Sequence, residues 1–348
     1  MINNKKEFTF NYGGKEITIE TGRLAKQADG AVLVTSGKTQ VMVTVCSARS
    51  VNDGQDFFPL MVDYKEKFTA AGKFLGGFMK REGRPSNDEI LLMRMIDRPL
   101  RPLFPEGYMA ETIVMAQVIS FEAEVDPQVL AGLGTAAALE ISDIPFAGPI
   151  GFCKVGKING ELILNPHHAQ WAESDVELVI AASKDAIMMV EGEANEVNEE
   201  DMMEALRFGH DQIKEFCGVL EQMRAEVGVE KRDWISAAPN EAMMSKMEDF
   251  ASDARACLGV ENKQKRSLAI SKLNDTVKDA IKADHASFGL ESASEAGKDA
   301  YKGVDELLYT MMRNDILKEG KRIAGRGLTE VRGIETEASV LKTPHGSS

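Results

Sequence analysis

FMKREGRPSNDEILLMRMIDRPLRPLFPEGY, residues 78–108, carries a cationic stretch, a helix start and a helix end in immediate succession. Ser86 and Glu89 form the Ser-x-x-Glu pattern, in which each side chain satisfies an amide the other leaves unpaired, and an apolar run follows at residues 90–96. A helix is expected from that point. Pro99 and Pro102 are expected to end or distort it, because proline has no amide to donate and its ring collides with the preceding turn. Residues 70–84, just before, read as a Gly-rich basic loop.

Working outward from this segment toward the N-terminus, the period changes to two. Phe8, Phe10 and Tyr12 alternate, Gly13-Gly14 supplies a tight turn, and Ile17 and Ile19 alternate back. A second hairpin is expected from residues 31–35 and 40–45 around Ser36-Gly37-Lys38, and a further strand from residues 58–64, giving a largely antiparallel sheet. In the other direction, residues 112–121 read as a buried strand and residues 127–141 as a helix of small residues. Strands follow at residues 150–155, 162–164, 176–181 and 187–191, then one long amphipathic helix at residues 197–227. Strands followed by a helix, twice over, is an α+β pattern rather than a doubly wound one.

From about Pro239 to Glu319 no strand pattern is evident, and Ala, Lys, Glu, Asp and Met recur at helical spacing. Beyond Gly320 turn formers return, and Gly325-Arg326 and His345-Gly346 can be laid loosely on Gly22-Arg23 and Asp29-Gly30. The expected division is residues 1–237, an all-helical domain at 238–320, and at 321–348 the truncated start of a second copy of the first domain.

The chain has 348 residues, 43% of them apolar and 28% charged, and no apolar run approaches the roughly 20 residues of a spanning helix. With no secretory pattern at its start, a cytoplasmic protein without membrane association is expected. Cys46, Cys153, Cys217 and Cys257 lie far apart, which excludes a disulfide framework or a paired metal motif and leaves buried free thiols. His167 and His168 after Pro166 read as a polar surface loop. A formal charge of −14 argues against non-specific coating of nucleic acid, so any such contact must be local.

The opening 31 residues quoted above strongly resemble the signature of bacterial polynucleotide phosphorylases. So do ETGRLAKQADGAVLVTSGKTQVMVTV near the start, LNP at residues 164–166, MMVEGEANEVNEEDMMEALRFGH at residues 188–210 and KTPHGSS at the end, all in the family's order. The resemblance is to the N-terminal half of that family. It implies two RNase PH-like domains joined by a helical domain, followed by RNA-binding modules, in a ring-shaped homotrimer around an RNA channel. The implied reaction is processive, phosphate-dependent 3′→5′ degradation of single-stranded RNA to nucleoside diphosphates, reversible as polymerisation. Inorganic phosphate is the co-substrate and magnesium the cofactor, with its ligands expected in the second RNase PH-like domain. An RNA-degradation complex is the further partner it suggests. On this reading the present chain supplies channel and scaffold parts, holds no catalytic residue or metal ligand, and is inactive alone. The alternative is a catalytically silent RNase PH-like ring subunit that binds RNA while another chain cuts it.

Phosphorolysis must gather two mutually repelling phosphates, and arginine suits this because its planar fork pairs with phosphate oxygens and stays charged. Arg94, Arg98 and Arg101, spaced by four and three residues, project from one helix face while helical geometry lasts, and could converge on one ligand. The plainer alternative is a solvated face with Asp97 paired to a neighbour. The resemblance places the matching arginines at the periphery of the active site. In the preceding loop, Phe78, Lys80, Arg81 and Arg84 interleave an aromatic ring with cations, the chemistry by which single-stranded RNA is held through stacking and backbone contacts. Net charge from Phe78 to Arg101 is only +2, so geometry must create the grip. The matching family loop narrows the channel; Met79 and Lys80 stand here where some members have a second aromatic and an arginine.

Overall fold

Two turns with paired positive φ values set two of the hairpins of the chain. Gly13 and Gly14, at φ 65° and 77°, reverse β1 (Lys6–Tyr12) into β2 (Lys15–Thr21) with Tyr12 opposite Lys15. Asn159 and Gly160, at φ 52° and 83°, do the same between β7 (Ile150–Ile158) and β8 (Glu161–Leu164). Positive φ at both central residues matches the right-handed twist of the flanking strands.

The computed structural model describes residues 4–51, 55, 57–77, 82–234 and 239–348. The chain divides into two compact units, Met1–Ala237 and Ala238–Ser348. In the first, β3 (Gly30–Ser36), β4 (Thr39–Ser47), β5 (Leu60–Glu66) and β6 (Thr112–Ser120) join the first hairpin in a six-stranded sheet of order β1-β2-β3-β4-β6-β5. Only the β5–β6 pairing is parallel. The second hairpin, with β9 (Ser174–Ser183) and β10 (Ile187–Ala194), forms an antiparallel sheet of order β10-β9-β7-β8. The α+β expectation holds.

Between the sheets runs α2 (Pro127–Ile141), buried along nearly its whole length. Its glycines make this possible. A Cβ on Gly132 would lie 2.6 Å from Cγ of Phe152 on β7, and one on Gly134 would lie 2.7 Å from Cγ2 of Val43 on β4. The two bare positions let one helix touch both sheets. Tyr12, buried, donates its hydroxyl to the carbonyl of Phe152 at 3.0 Å and ties the sheets together at one end. The long helix α3 (Glu199–Val227) covers the second sheet, with Phe216 against Phe10 and Tyr12.

One sequence expectation is borne out here and one, that all four thiols are buried, is corrected. α1 (Asn87–Leu100) ends one residue after Pro99 and gives way to a 3-10 turn, Arg101–Leu103, that holds Pro102, with Arg101 still helical at φ −51°, ψ −48°. The proline removes one bond in the last turn, and the Arg101 amide resumes the ladder by donating to the Asp97 carbonyl. Cys46 is exposed, because alternation along β4 turns it outward, whereas Cys153, Cys217 and Cys257 are buried.

In the second unit, α4 (Glu241–Met247), α5 (Ala251–Leu258), α6 (Lys263–Ala283) and α7 (Ala296–Glu319) enclose a core that includes Met247, Val277, Ile281 and Val304. After Gly320 no described residue is in a strand, and Val340 and Leu341 stay exposed. A strand needs a neighbour for its ladder, and these residues find none within the unit. Among the described residues no helix is long and apolar enough to cross a membrane.

The same substitution should act with opposite signs at two glycines. Gly132→Ala drives a methyl into Phe152, and overpacking of about 1–3 kcal/mol outweighs the gain of about 1 kcal/mol in helix propensity. At Gly218, inside α3, a Cβ meets nothing within 4 Å. There the change should stabilise by about 0.5–1 kcal/mol. Urea unfolding of both variants beside the parent protein measures the difference.

Candidate functional site

Ser86 begins α1 as the sequence predicts. Its hydroxyl accepts from the Glu89 amide at 3.2 Å, and Glu89 Oε2 accepts from the Ser86 amide at 2.7 Å. The second oxygen of Glu89 does more than cap, because Oε1 accepts from the Glu66 amide at 2.9 Å and bolts the helix to the end of β5. Burial pushes the Glu89 carboxyl up, but the amides of Glu66 and Ser86 outweigh it and hold the group below its ordinary range.

From this fixed start α1 presents Arg94 and Arg98, with Leu91 and Met95, to a cavity of about 950 Å³. The other walls come from β9, β10, the first residues of α2 and the short 3-10 turn His168–Glu173. The three arginines do not converge. Arg101 turns away, donating from Nε and Nη2 to both oxygens of Asp97 at 2.6 and 2.9 Å and from Nη2 to the Leu60 carbonyl at 2.9 Å. It fastens the end of α1 to β5, and Asp97 is its partner. Arg98 donates from Nη2 to Glu191 Oε2 on β10 at 2.6 Å, with both side chains about half exposed. Among the described residues Arg94 has no acidic partner.

The opposite wall explains why the N-terminus of α2 does not serve as an anion seat. Its first residue, Pro127, has no amide, and the capping Asp126 already accepts from the Gln128 amide at 2.8 Å. Asp126 also accepts from Lys154 Nζ at 2.6 Å, and Gln128 Oε1 accepts from the same ammonium at 2.7 Å. Helix end, carboxylate and ammonium neutralise one another. Glu177 and Glu193 stand directly opposite on β9 and β10; burial, then the neighbouring Glu193 charge, pushes Glu177 up, and Lys154 pulls it down. The walls hold Arg94, Arg98 and Lys154 against Glu66, Asp88, Asp126, Glu177, Glu191 and Glu193, an acidic excess. Among the described residues no group of three or more His, Cys, Asp or Glu side chains is placed to hold a metal ion.

Arg84 stands apart, on the rim of a second cavity of about 600 Å³, with Lys65, Lys67 and Lys73. Lys67 Nζ donates to Glu82 at 2.9 Å across the base of the loop. Phe78, Lys80 and Arg81 lie outside the described residues. Sequence reasoning missed Lys154, Glu191 and Trp171; His168, read as part of a polar surface loop, is exposed and also lines the first cavity. The period-two alternation of residues 176–181 was the one signal available for Glu177.

Family models described as "3' exoribonuclease family, domain 1" and "3' exoribonuclease family, domain 2" match residues 13–145 and 148–212, both within the first unit. A polyribonucleotide nucleotidyltransferase of Citrifermentans bemidjiense is 44% identical over 337 residues, 96% of this chain and 47% of the relative. Proteins of the same name from Trichlorobacter lovleyi and Sphingopyxis alaskensis are each 44% identical, over 100% and 99% of this chain and 48% and 44% of their own lengths. The chain thus spans about half the length of the curated relatives it matches. The solved structure of rice Rrp46 aligns with a TM-score of 0.47 and 15% identity, over 64% of this chain and 94% of that one.

Because Glu89 joins the cap of α1 to β5, Glu89→Ala should destabilise the first unit by about 1–2 kcal/mol. Its carboxyl is depressed in the fold, so its contribution is present above the ordinary carboxylate range and lost as pH falls through the folded value. Denaturation measured from neutral to acid pH should therefore show a gap between parent and variant that narrows on the acid side. A gap that stays constant or widens there contradicts this account.

Proposed function

Because this chain belongs to the polynucleotide phosphorylase, or polyribonucleotide nucleotidyltransferase, family, we propose that it forms part of a phosphate-dependent 3′→5′ exoribonuclease acting on single-stranded RNA. In that reaction an oxygen of inorganic phosphate attacks the phosphorus of the 3′-terminal phosphodiester. The bond to the preceding nucleotide's 3′ oxygen breaks, and a nucleoside diphosphate leaves. The observation that carries the reading is the pair Arg94 and Arg98 on one stretch of α1, facing an open cavity, one without an acidic partner among the described residues and one with a single exposed contact. Two such guanidinium groups reduce the repulsion between phosphates brought together. Arg101, committed to Asp97 and to the start of β5, has a supporting role in this reading.

Phe78, Lys80, Arg81 and Arg84 would grip the RNA upstream of the reacting end. Magnesium is the expected cofactor of the whole enzyme, and among the described residues no group of three or more His, Cys, Asp or Glu side chains fits it. Homotrimer formation, association with other RNA-degrading proteins, a cytoplasmic location, and residues 321–348 as the start of a second RNase PH-like domain belong to the same proposal. The acidic excess around Arg94 and Arg98 favours a second reading, a catalytically silent RNase PH-like ring subunit that binds RNA while another chain supplies the chemistry.

Three assays test these readings. This chain, incubated with oligoadenylate, inorganic phosphate and magnesium, should release no nucleoside diphosphate, since among its described residues no group of three or more His, Cys, Asp or Glu side chains is placed to hold a metal ion. Release by a pure preparation would contradict that expectation. In binding assays Lys80→Ala with Arg81→Ala should weaken RNA affinity and flatten its salt dependence by about one to two units of slope, because each lost phosphate contact releases fewer counterions. Full-length enzyme carrying Arg94→Ala should instead lose turnover on long and short RNA alike, by about tenfold to a hundredfold for a charge-assisted contact of about 1.5–3 kcal/mol. If Arg94→Ala leaves turnover intact, the arginine pair is not at the reacting end.

A further inference from the structure

The three arginines of α1 differ in how firmly they are held. Arg101 is fixed by both oxygens of Asp97 and by the Leu60 carbonyl of β5, and releasing it would strand a carboxylate and loosen the helix end. Among the described residues Arg94 is held by no acidic group. Arg98 lies between these extremes, with one contact, Nη2 to Glu191 Oε2 at 2.6 Å, and its remaining donors outside that pair.

We propose that Glu191 is a specificity-determining residue that acts through Arg98: its carboxylate takes the place of the anion when none is bound, and yields only to an anion of higher charge. This rests on the reading of Arg94 and Arg98 as phosphate contacts. Three observations support it. First, both members of the pair are about half exposed, and such ion pairs are weak, so the contact can open. Second, Glu191 stands on β10, at the edge of the order β10-β9-β7-β8, where a side chain can swing without disturbing a ladder on its far side. Third, of the six carboxylates around the cavity, only Glu191 is bonded to either of these two arginines; Asp126 is bonded to Lys154 instead.

A carboxylate at Arg98 sets a threshold. A singly charged anion gains little by exchanging places with another monoanion, whereas a phosphate dianion can use the fork of Arg98 and reach Arg94 as well. Glu191 thereby turns two arginines that would attract any anion into a pair that discriminates by charge.

The test is titration of inorganic phosphate into this chain and its variants, followed by calorimetry or phosphorus NMR, with acetate as the monoanionic competitor. Glu191→Gln should bind phosphate about two- to fivefold more tightly, the range expected for losing an exposed competing pair, and acetate should begin to compete. In the Arg98→Ala background the same change should give no gain. The substitution is on an exposed side chain, and an unchanged unfolding midpoint verifies that the fold is intact. Equal or weaker phosphate binding by Glu191→Gln overturns the proposal, as does a gain that persists without Arg98, which would be a general field effect. If Arg94→Ala and Arg98→Ala leave phosphate binding untouched, or no variant binds it, the phosphate reading itself falls. If those two weaken binding while Glu191→Gln changes nothing, that reading stands and only the role of Glu191 is lost.

Discussion

Close approach of α2 to two sheets at once is the constraint on which the first unit depends. A helix surface normally carries side chains that hold neighbouring layers well apart, and here the missing Cβ atoms of Gly132 and Gly134 allow contact with Phe152 on one side and Val43 on the other. With the helix fixed in both directions, its N-terminus is held beside Lys154, midway along β7. That places Asp126 and Gln128 within reach of Lys154 and makes one wall of the cavity before any charged group on α1 is considered.

Facing that wall, α1 is secured at both ends by polar contacts with β5. Glu89 accepts from the Glu66 amide at the start, and Arg101 donates to the Leu60 carbonyl at the finish. Between those anchors the helix has little freedom to rotate, so the face on which Arg94 and Arg98 lie follows from the anchoring of α1, and Arg98 adds a contact of its own to Glu191. The cationic role proposed for them would depend on groups that are themselves spent on structure. This is a physical reason for one arginine of three to differ in role from the others.

The electrostatics of the cavity temper what those arginines can do. A helix N-terminus is ordinarily a good place for a phosphate, and the one at α2 is filled by its own Asp126, with Pro127 lacking an amide and Lys154 balancing the charge. Carboxylates outnumber cations around the space, and Glu177 opposes Glu193 across a strand pair. On the proposed reading, anion attraction would rest on short-range geometry at two guanidinium groups, in keeping with a chain whose formal charge is −14.

Local features were legible in the sequence because they depend on neighbours a few residues away. Gly13-Gly14 and Asn159-Gly160 can adopt positive φ and so make tight hairpins; Ser86 and Glu89 cap a helix across three residues; the run of small residues at 127–141 forms the buried helix it suggests. The family, too, was legible, since many short motifs in one order need no structure to be read. What only the tertiary structure decided are pairings between distant residues: Arg98 with Glu191, 93 positions away, Lys154 with Asp126, 28 away, and Arg101 with the Leu60 carbonyl, 41 away. Equal helical spacing made Arg94, Arg98 and Arg101 look alike, and the packing of α1 against β5 on one side and β10 on the other gave Arg101 and Arg98 different partners and, among the described residues, left Arg94 without an acidic one. Periodicity sets the face on which a side chain lies; the neighbouring element sets what it meets there, and that element is brought by the fold of the whole unit.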